Sequence, residues 1–195
     1  MGLEELGTLG GSRSDAAGIN DHGHVVGSST NAAGVQRAFL YQTGAMRDLG
    51  TLGGPSAVAS DINGHGVVIG RAQAVDGTWH GFRYTDATGK QTLPGLLPGR
   101  SATAWALNNA GQFVGSDRAA NGEWHAYYLD ADGPVDLNDR IDRQSASHWL
   151  LTGATGINER GDIVAEAITR AEGLVRAVAL RVRRAADVTL SPPAR

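Results

Sequence analysis

The chain has 195 residues, including 28 glycines and no cysteine, and carries a formal net charge of −3. Disulfide frameworks, thiol nucleophiles and thiolate metal sites are therefore excluded, and the slightly acidic balance argues against a broad nucleic-acid footprint. No stretch approaches the ~18 consecutive apolar residues of a membrane span, and residues 1–11 lack the basic start and apolar run of a secretory signal, which gives a cytoplasmic expectation for the chain as it stands.

Taken in order, the elements read as four copies of one unit. A small-residue strand is predicted over 14–19, 57–62, 102–107 and 152–157, each ending in Ile or Leu before an Asn. The Asn residues are Asn20, Asn63, Asn108 and Asn158, spaced by 43, 45 and 50 residues, and each is followed three positions later by Gly23, Gly66, Gly111 or Gly161. Asn at the first and Gly at the fourth position suit a type I turn. A second strand follows, marked by Gly27, Gly70 and Gly115, with Ala165 in the last copy. Glycine turns at Gly34, Gly77, Gly122 and Gly173 then predict a hairpin into a third strand. That strand opens on Arg37, His80, His125 or Arg176 and carries the aromatics Phe39, Tyr41, Phe82, Tyr84 and Tyr127. Gly44, Gly89 and Gly133 open turns into a fourth strand ending at Leu49, Leu93 or Leu137. Nothing between these turns has the length or the 3.6-residue period of a helix.

Four antiparallel strands per unit of ~40–50 residues is the pattern of a propeller blade. The expected fold is therefore all-β, a small β-propeller of four four-stranded blades in one domain over 1–190. The units run approximately over 8–49, 50–93, 94–137 and 138–190, with 191–195 as a frayed tail. Leu3-Glu4-Glu5-Leu6-Gly7 matches Met46-Arg47-Asp48-Leu49-Gly50, so residues 3–7 are expected to close the ring as a spare fourth strand. A rival closing strand surrounds Asp187 and Val188. Ala16, Ala59, Ala104 and Ala154 hold one equivalent position, facing either a narrow axis or the neighbouring blade.

The words LGTLGG, INxxG and VVG and the basic-Ala-Phe run resemble the HAF-repeat family of bacterial repeats. The likeness extends from Leu6 to about Val182, and the fourth unit is similar to that family's closing repeat through Asp136-Leu137-Asn138, Ser147-His148-Trp149 and Ala154-Thr155-Gly156-Ile157-Asn158. No copy spells His-Ala-Phe; the third strands begin RAF, HGF, HAY and RAV. The resemblance implies a propeller-like array and an extracellular address, and it supplies no catalytic residue.

The recurrent basic position is read first as a structural bond between blades, with a symmetric binding ring as the alternative. Trp79 and Trp124 precede it in two units only, where they can pack between blades or stack on sugar rings. His22 and His24 share a strand face but lack further ligands, so no metal and no cofactor is expected. The long connection over 138–151 is the irregular part of the repeat, and function concentrates in such insertions. It brings Arg143, His148 and Trp149 to a face shared with Arg100; Asp61 and Trp105 on first strands complete the candidate mouth.

The leading expectation is a binding or interaction module for a small molecule or glycan, without nucleic-acid or membrane partners, as a monomer or homodimer. The alternative is a cofactor-independent cyclase, isomerase, lyase or hydrolase using His148 with Asp61 as acid and base. A third reading is purely structural, a ring or half-ring that pairs with a second copy.

Overall fold

The structure is a computed structural model, and it describes residues 2–97 and 100–181. Four antiparallel sheets follow one another along the chain, each with its strands in sequence order. The first holds β1 (Gly10–Ile19), β2 (Val25–Asn31), β3 (Gln36–Gln42) and β4 (Ala45–Asp48). The second holds β5 (Gly53–Ile62), β6 (Val68–Ala74), β7 (Trp79–Thr85) and β8 (Gly89–Thr92). The third holds β9 (Thr103–Leu107), β10 (Phe113–Arg118), β11 (Trp124–Asp130) and β12 (Gly133–Asp136). The fourth has three strands among the described residues, β13 (Trp149–Ile157), β14 (Ile163–Thr169) and β15 (Val175–Leu180).

Among the described residues the all-β expectation has two short exceptions at the long connection, a 3-10 turn over Leu137–Asp139 and the helix α1 (Arg143–His148). Its start is fixed by Asp142, whose carboxylate accepts from the Ser145 amide at 2.8 Å and the Ser145 hydroxyl at 3.0 Å. A six-residue helix is too short for its period to stand out in a sequence, but its cap is local chemistry.

Each repeated Asn does more than turn the chain. Its Oδ1 accepts backbone amides within its own turn: His22 and His24 on Asn20, His65 and Val67 on Asn63, Gln112 on Asn108, and Arg160 and Asp162 on Asn158. In the first three units its Nδ2 reaches into the next sheet. Asn20 donates to the Asn63 carbonyl at 3.0 Å, Asn63 to that of Asn108 at 3.1 Å, and Asn108 to that of Asn158 at 3.0 Å. The asparagines form a ladder that sets the register of sheet on sheet.

The recurrence of small residues from unit to unit also has a steric cause. Every first strand carries a bulge at the same place, where Ala17, Ser60, Trp105 and Thr155 have no partner in the ladder. Beside the bulge the first strand's carbonyl presses on the second strand. A Cβ at Gly27, Gly70 or Gly115 would collide with the carbonyl oxygen of Asp15, Val58 or Thr103.

The sheets stack face to face in a row, and apolar side chains fill each junction. Val26, Ala38 and Leu40 meet Ala57, Ala59, Ile62, Val68 and Phe82 between the first two sheets. Ile69 meets Ala104, Phe113 and Tyr127 at the second junction. Val114 and Ala126 meet Ala154, Ile163, Ala165 and Ala167 at the third. The equivalent alanines Ala59, Ala104 and Ala154 thus face the preceding sheet, whereas Ala16 in the first sheet is exposed.

Closure by residues 3–7 is not formed. Residues 2–8 make no strand, and they lie against the first sheet, where the Tyr41 hydroxyl donates to Glu4 at 2.6 Å and the Leu9 amide donates to the Ser29 hydroxyl at 3.0 Å. Leu9 bridges Asn31 as Leu52 bridges Ala74, so the entry into the first unit matches the entry into the second. The rival strand around Asp187 and Val188 lies outside the described residues.

Candidate functional site

The hairpin turns after the second strands and the connections between sheets share one end of the strands, because consecutive strands alternate in direction. Two cavities open toward that end, one on each side of Trp124.

The first, of about 610 Å³, lies between the second and third sheets and is lined by Arg71, Trp79, Arg100, Asp117, Arg118 and Trp124 among others. Two arginines stack on its indoles. The Arg71 guanidinium sits 4.9 Å from the Trp79 ring, and that of Arg118 sits 4.8 Å from Trp124. Such pairs orient the indole while holding positive charge beside it. Arg118 is further held by donating to the Gly122 carbonyl at 2.8 Å. Asp117 is buried and accepts from the Leu96 amide at 2.6 Å, tying the connection to the third sheet. Arg100 is exposed at the rim, and its amide donates to the Leu97 carbonyl at 3.1 Å.

The second cavity, of about 530 Å³, lies between the third and fourth sheets and is lined by Trp105, Ser116, Glu123, Trp124, Leu150 and Glu166 among others. Trp105 occupies the bulge of β9, and its Nε1 donates to the Ser116 hydroxyl at 3.3 Å. A bulge re-aims the extra residue, which is how a first-strand side chain comes to line this opening. The three indoles Trp79, Trp105 and Trp124 remain 40%, 42% and 47% exposed.

The structure divides the residues singled out in the sequence. Arg100 and Trp105 line these cavities. Trp149 is half-buried in the core of the third junction, and Arg143 and His148 are exposed on α1. The His148 ring shares its Nδ1 with the Gln144 carbonyl at 3.1 Å and the Ser147 hydroxyl at 3.0 Å. Asp61 belongs to the other end of the strands. It stands one residue from the end of β5, whereas His148 immediately precedes the start of β13, so the proposed acid–base pair does not meet. The Asp61 carboxylate instead accepts from the Ile62 amide at 2.8 Å and across the junction from the Leu107 amide at 3.2 Å. Burial raises its pKa above the ordinary carboxylate range.

The recurrent basic position does structural work in two units. Arg37 donates to Asp48 at 2.9 Å and to the Pro55 carbonyl of the next sheet at 2.9 Å, and His125 pairs through Nδ1 with Asp136. His80 meets the Thr78 hydroxyl at 2.7 Å, and Arg176 is exposed. The His22 and His24 rings stack 5.7 Å apart. Among the described residues no group of three or more His, Cys, Asp or Glu side chains is placed to hold a metal ion, and no helix is long and apolar enough to cross a membrane.

Lys90 bridges the first two sheets. Its Nζ donates to the Gly50 carbonyl at 2.8 Å and lies 3.7 Å from the centroid of the Phe82 ring. Burial pulls its pKa down to about 7.

The residues that sequence reasoning missed are Arg71, Glu123 and Glu166. Arg118 stands directly opposite Trp124 across its hairpin and Arg71 stands diagonally from Trp79, so the pairing appears only once the register of each hairpin is known. No protein-family model matches the chain, and neither a curated protein nor a solved structure matches it.

Proposed function

We propose that the protein is a carbohydrate-binding module of the β-propeller type, related to the HAF repeats, in which the four sheets serve as blades. The observation that carries the reading is the set of three part-exposed indoles, Trp79, Trp124 and Trp105, lining two adjoining cavities. Flat apolar faces flanked by polar groups suit the CH faces of pyranose rings, which bury apolar surface while their hydroxyls seek hydrogen bonds. Arg71, Arg100 and Arg118 beside Trp79 and Trp124 favour an acidic sugar, since guanidinium groups bind carboxylates by paired donors. The ligand of this reading is an oligosaccharide containing uronic acid.

Calorimetric titration with neutral and uronic-acid oligosaccharides tests it. Binding of the acidic series is expected, weakened about tenfold or more by Trp124→Ala, a loss of ~1.4 kcal/mol. Absence of binding across both series, or binding indifferent to Trp124→Ala, would refute the assignment.

A further inference from the structure

The two ends of the row carry the two halves of the junction that the molecule already builds three times within itself. At each internal junction a residue of the second strand points forward into the next sheet. Val26, Ile69 and Val114 hold this position and are fully buried. Their equivalent in the fourth sheet is Val164, paired with Ala179 as Val26 is paired with Leu40, and it is 52% exposed. Ala177 and Ala179 beside it are exposed as well, whereas Ala38 and Ala126 at the position of Ala177 are fully buried. At the other end, Ala16 is exposed where Ala59, Ala104 and Ala154 are fully buried. Ile19 is 69% exposed where Ile62 and Leu107 are buried.

The asparagine ladder ends in the same complementary way. The Asn63, Asn108 and Asn158 carbonyls each receive an Asn side chain from the preceding sheet. Among the described residues the Asn20 carbonyl receives the Gly23 amide of its own turn and no side chain from another sheet. The Asn158 Nδ2, with no further sheet to reach among the described residues, donates to Asp162 in its own turn at 3.0 Å. One end therefore offers an acceptor and a surface of Ala16 and Ile19; the other offers a donor and a surface of Val164 and Ala177.

We infer that the fourth sheet of one copy docks on the first sheet of a second copy, repeating the internal junction head to tail. The occupant of each bare face is a second copy of this chain, because its opposite end is the surface that the same face meets three times in the row. Two copies joined at both ends place eight sheets in one ring, within the range of about four to eight blades that propellers use. This contact needs no ligand, and its outcome is independent of the carbohydrate reading.

Light scattering on the eluting full chain tests the inference through Val164→Arg and Ala16→Arg, both at exposed sites that leave the internal junctions intact. Wild-type protein is expected at twice the chain mass, and each variant at the chain mass with an unchanged circular dichroism spectrum. Mixing the two variants is expected to restore the doubled mass, since Val164→Arg keeps an intact first sheet and Ala16→Arg an intact fourth. A wild-type monomer at every soluble concentration would overturn the inference, whether the fourth sheet then meets the first sheet of its own chain or residues 182–195 cover a face. So would doubled variants, or a mixture that stays monomeric.

Discussion

Replacing Asn63 by Ala is expected to lower the unfolding free energy by about 3 kcal/mol, at roughly 1 kcal/mol for each of its hydrogen bonds. The side chain accepts from the His65 and Val67 amides and donates to the Asn108 carbonyl, and the residue is buried, so water does not replace what is lost. Asn63→Asp keeps the turn but presents a carboxylate oxygen to a carbonyl, and it is expected to cost at least as much. Asn20→Ala deletes the same three bonds at the open end of the row, where solvent reaches, and should cost less than half the Asn63 value. Urea unfolding of the three variants provides the comparison. A loss below 1 kcal/mol at Asn63, or equal losses at Asn20 and Asn63, would contradict the ladder.

Stability is also expected to rise as the pH goes from about 7 to 10, and this rise should disappear in Lys90→Met. In the folded chain burial has lowered the Lys90 pKa to about 7, against 10.5 for the unperturbed group. Between those values the unfolded chain holds a proton that the folded chain has released, so unfolding takes up protons and raising the pH favours the fold. Below about 7 both states are charged and the folded chain bears the whole desolvation penalty, on the order of a few kcal/mol at ~1.4 kcal/mol per pKa unit. The Phe82 ring and the Gly50 carbonyl offset part of it. Above pH 10 burial works in the other direction through the tyrosines. Tyr127 and Tyr128 are raised, Tyr128 to about 12, so the folded chain keeps protons that the unfolded chain gives up. The informative quantity is the difference in slope between wild type and Lys90→Met below pH 10. Parallel slopes would show that Lys90 does not titrate in the folded chain near neutrality.

The sheets were legible in the sequence because their boundaries are set by local chemistry. Asn20 and Gly23, or Asn108 and Gly111, close their turns with amide–carbonyl bonds of 2.9 and 3.2 Å, within four residues of chain. What lay beyond such windows was legible only in outline. The Asn side chains looked like turn-formers, yet their Nδ2 groups act on partners 43 to 50 residues away. Trp105 was recognisable as unusual, but its position on a bulge follows from pairing with β10. The segment over 3–7 aligns with the fourth strand of the first unit and is not itself a strand: the Tyr41–Glu4 bond holds it against the first sheet, a contact that no local pattern announces. Only acid–base chemistry pairs His148 with Asp61 in the sequence, and the alternation of strand direction separates them.

Because each sheet packs, among the described residues of one chain, against the sheets before and after it, a single copy behaves as a short one-dimensional chain of coupled units. An inner sheet owes its stability to two couplings and an outer one to a single coupling. Fluctuations should therefore enter from the extremities and travel inward, as fraying does in a zipper. Gain or loss of a whole unit by gene duplication or deletion would alter the number of couplings without requiring any of them to be redesigned.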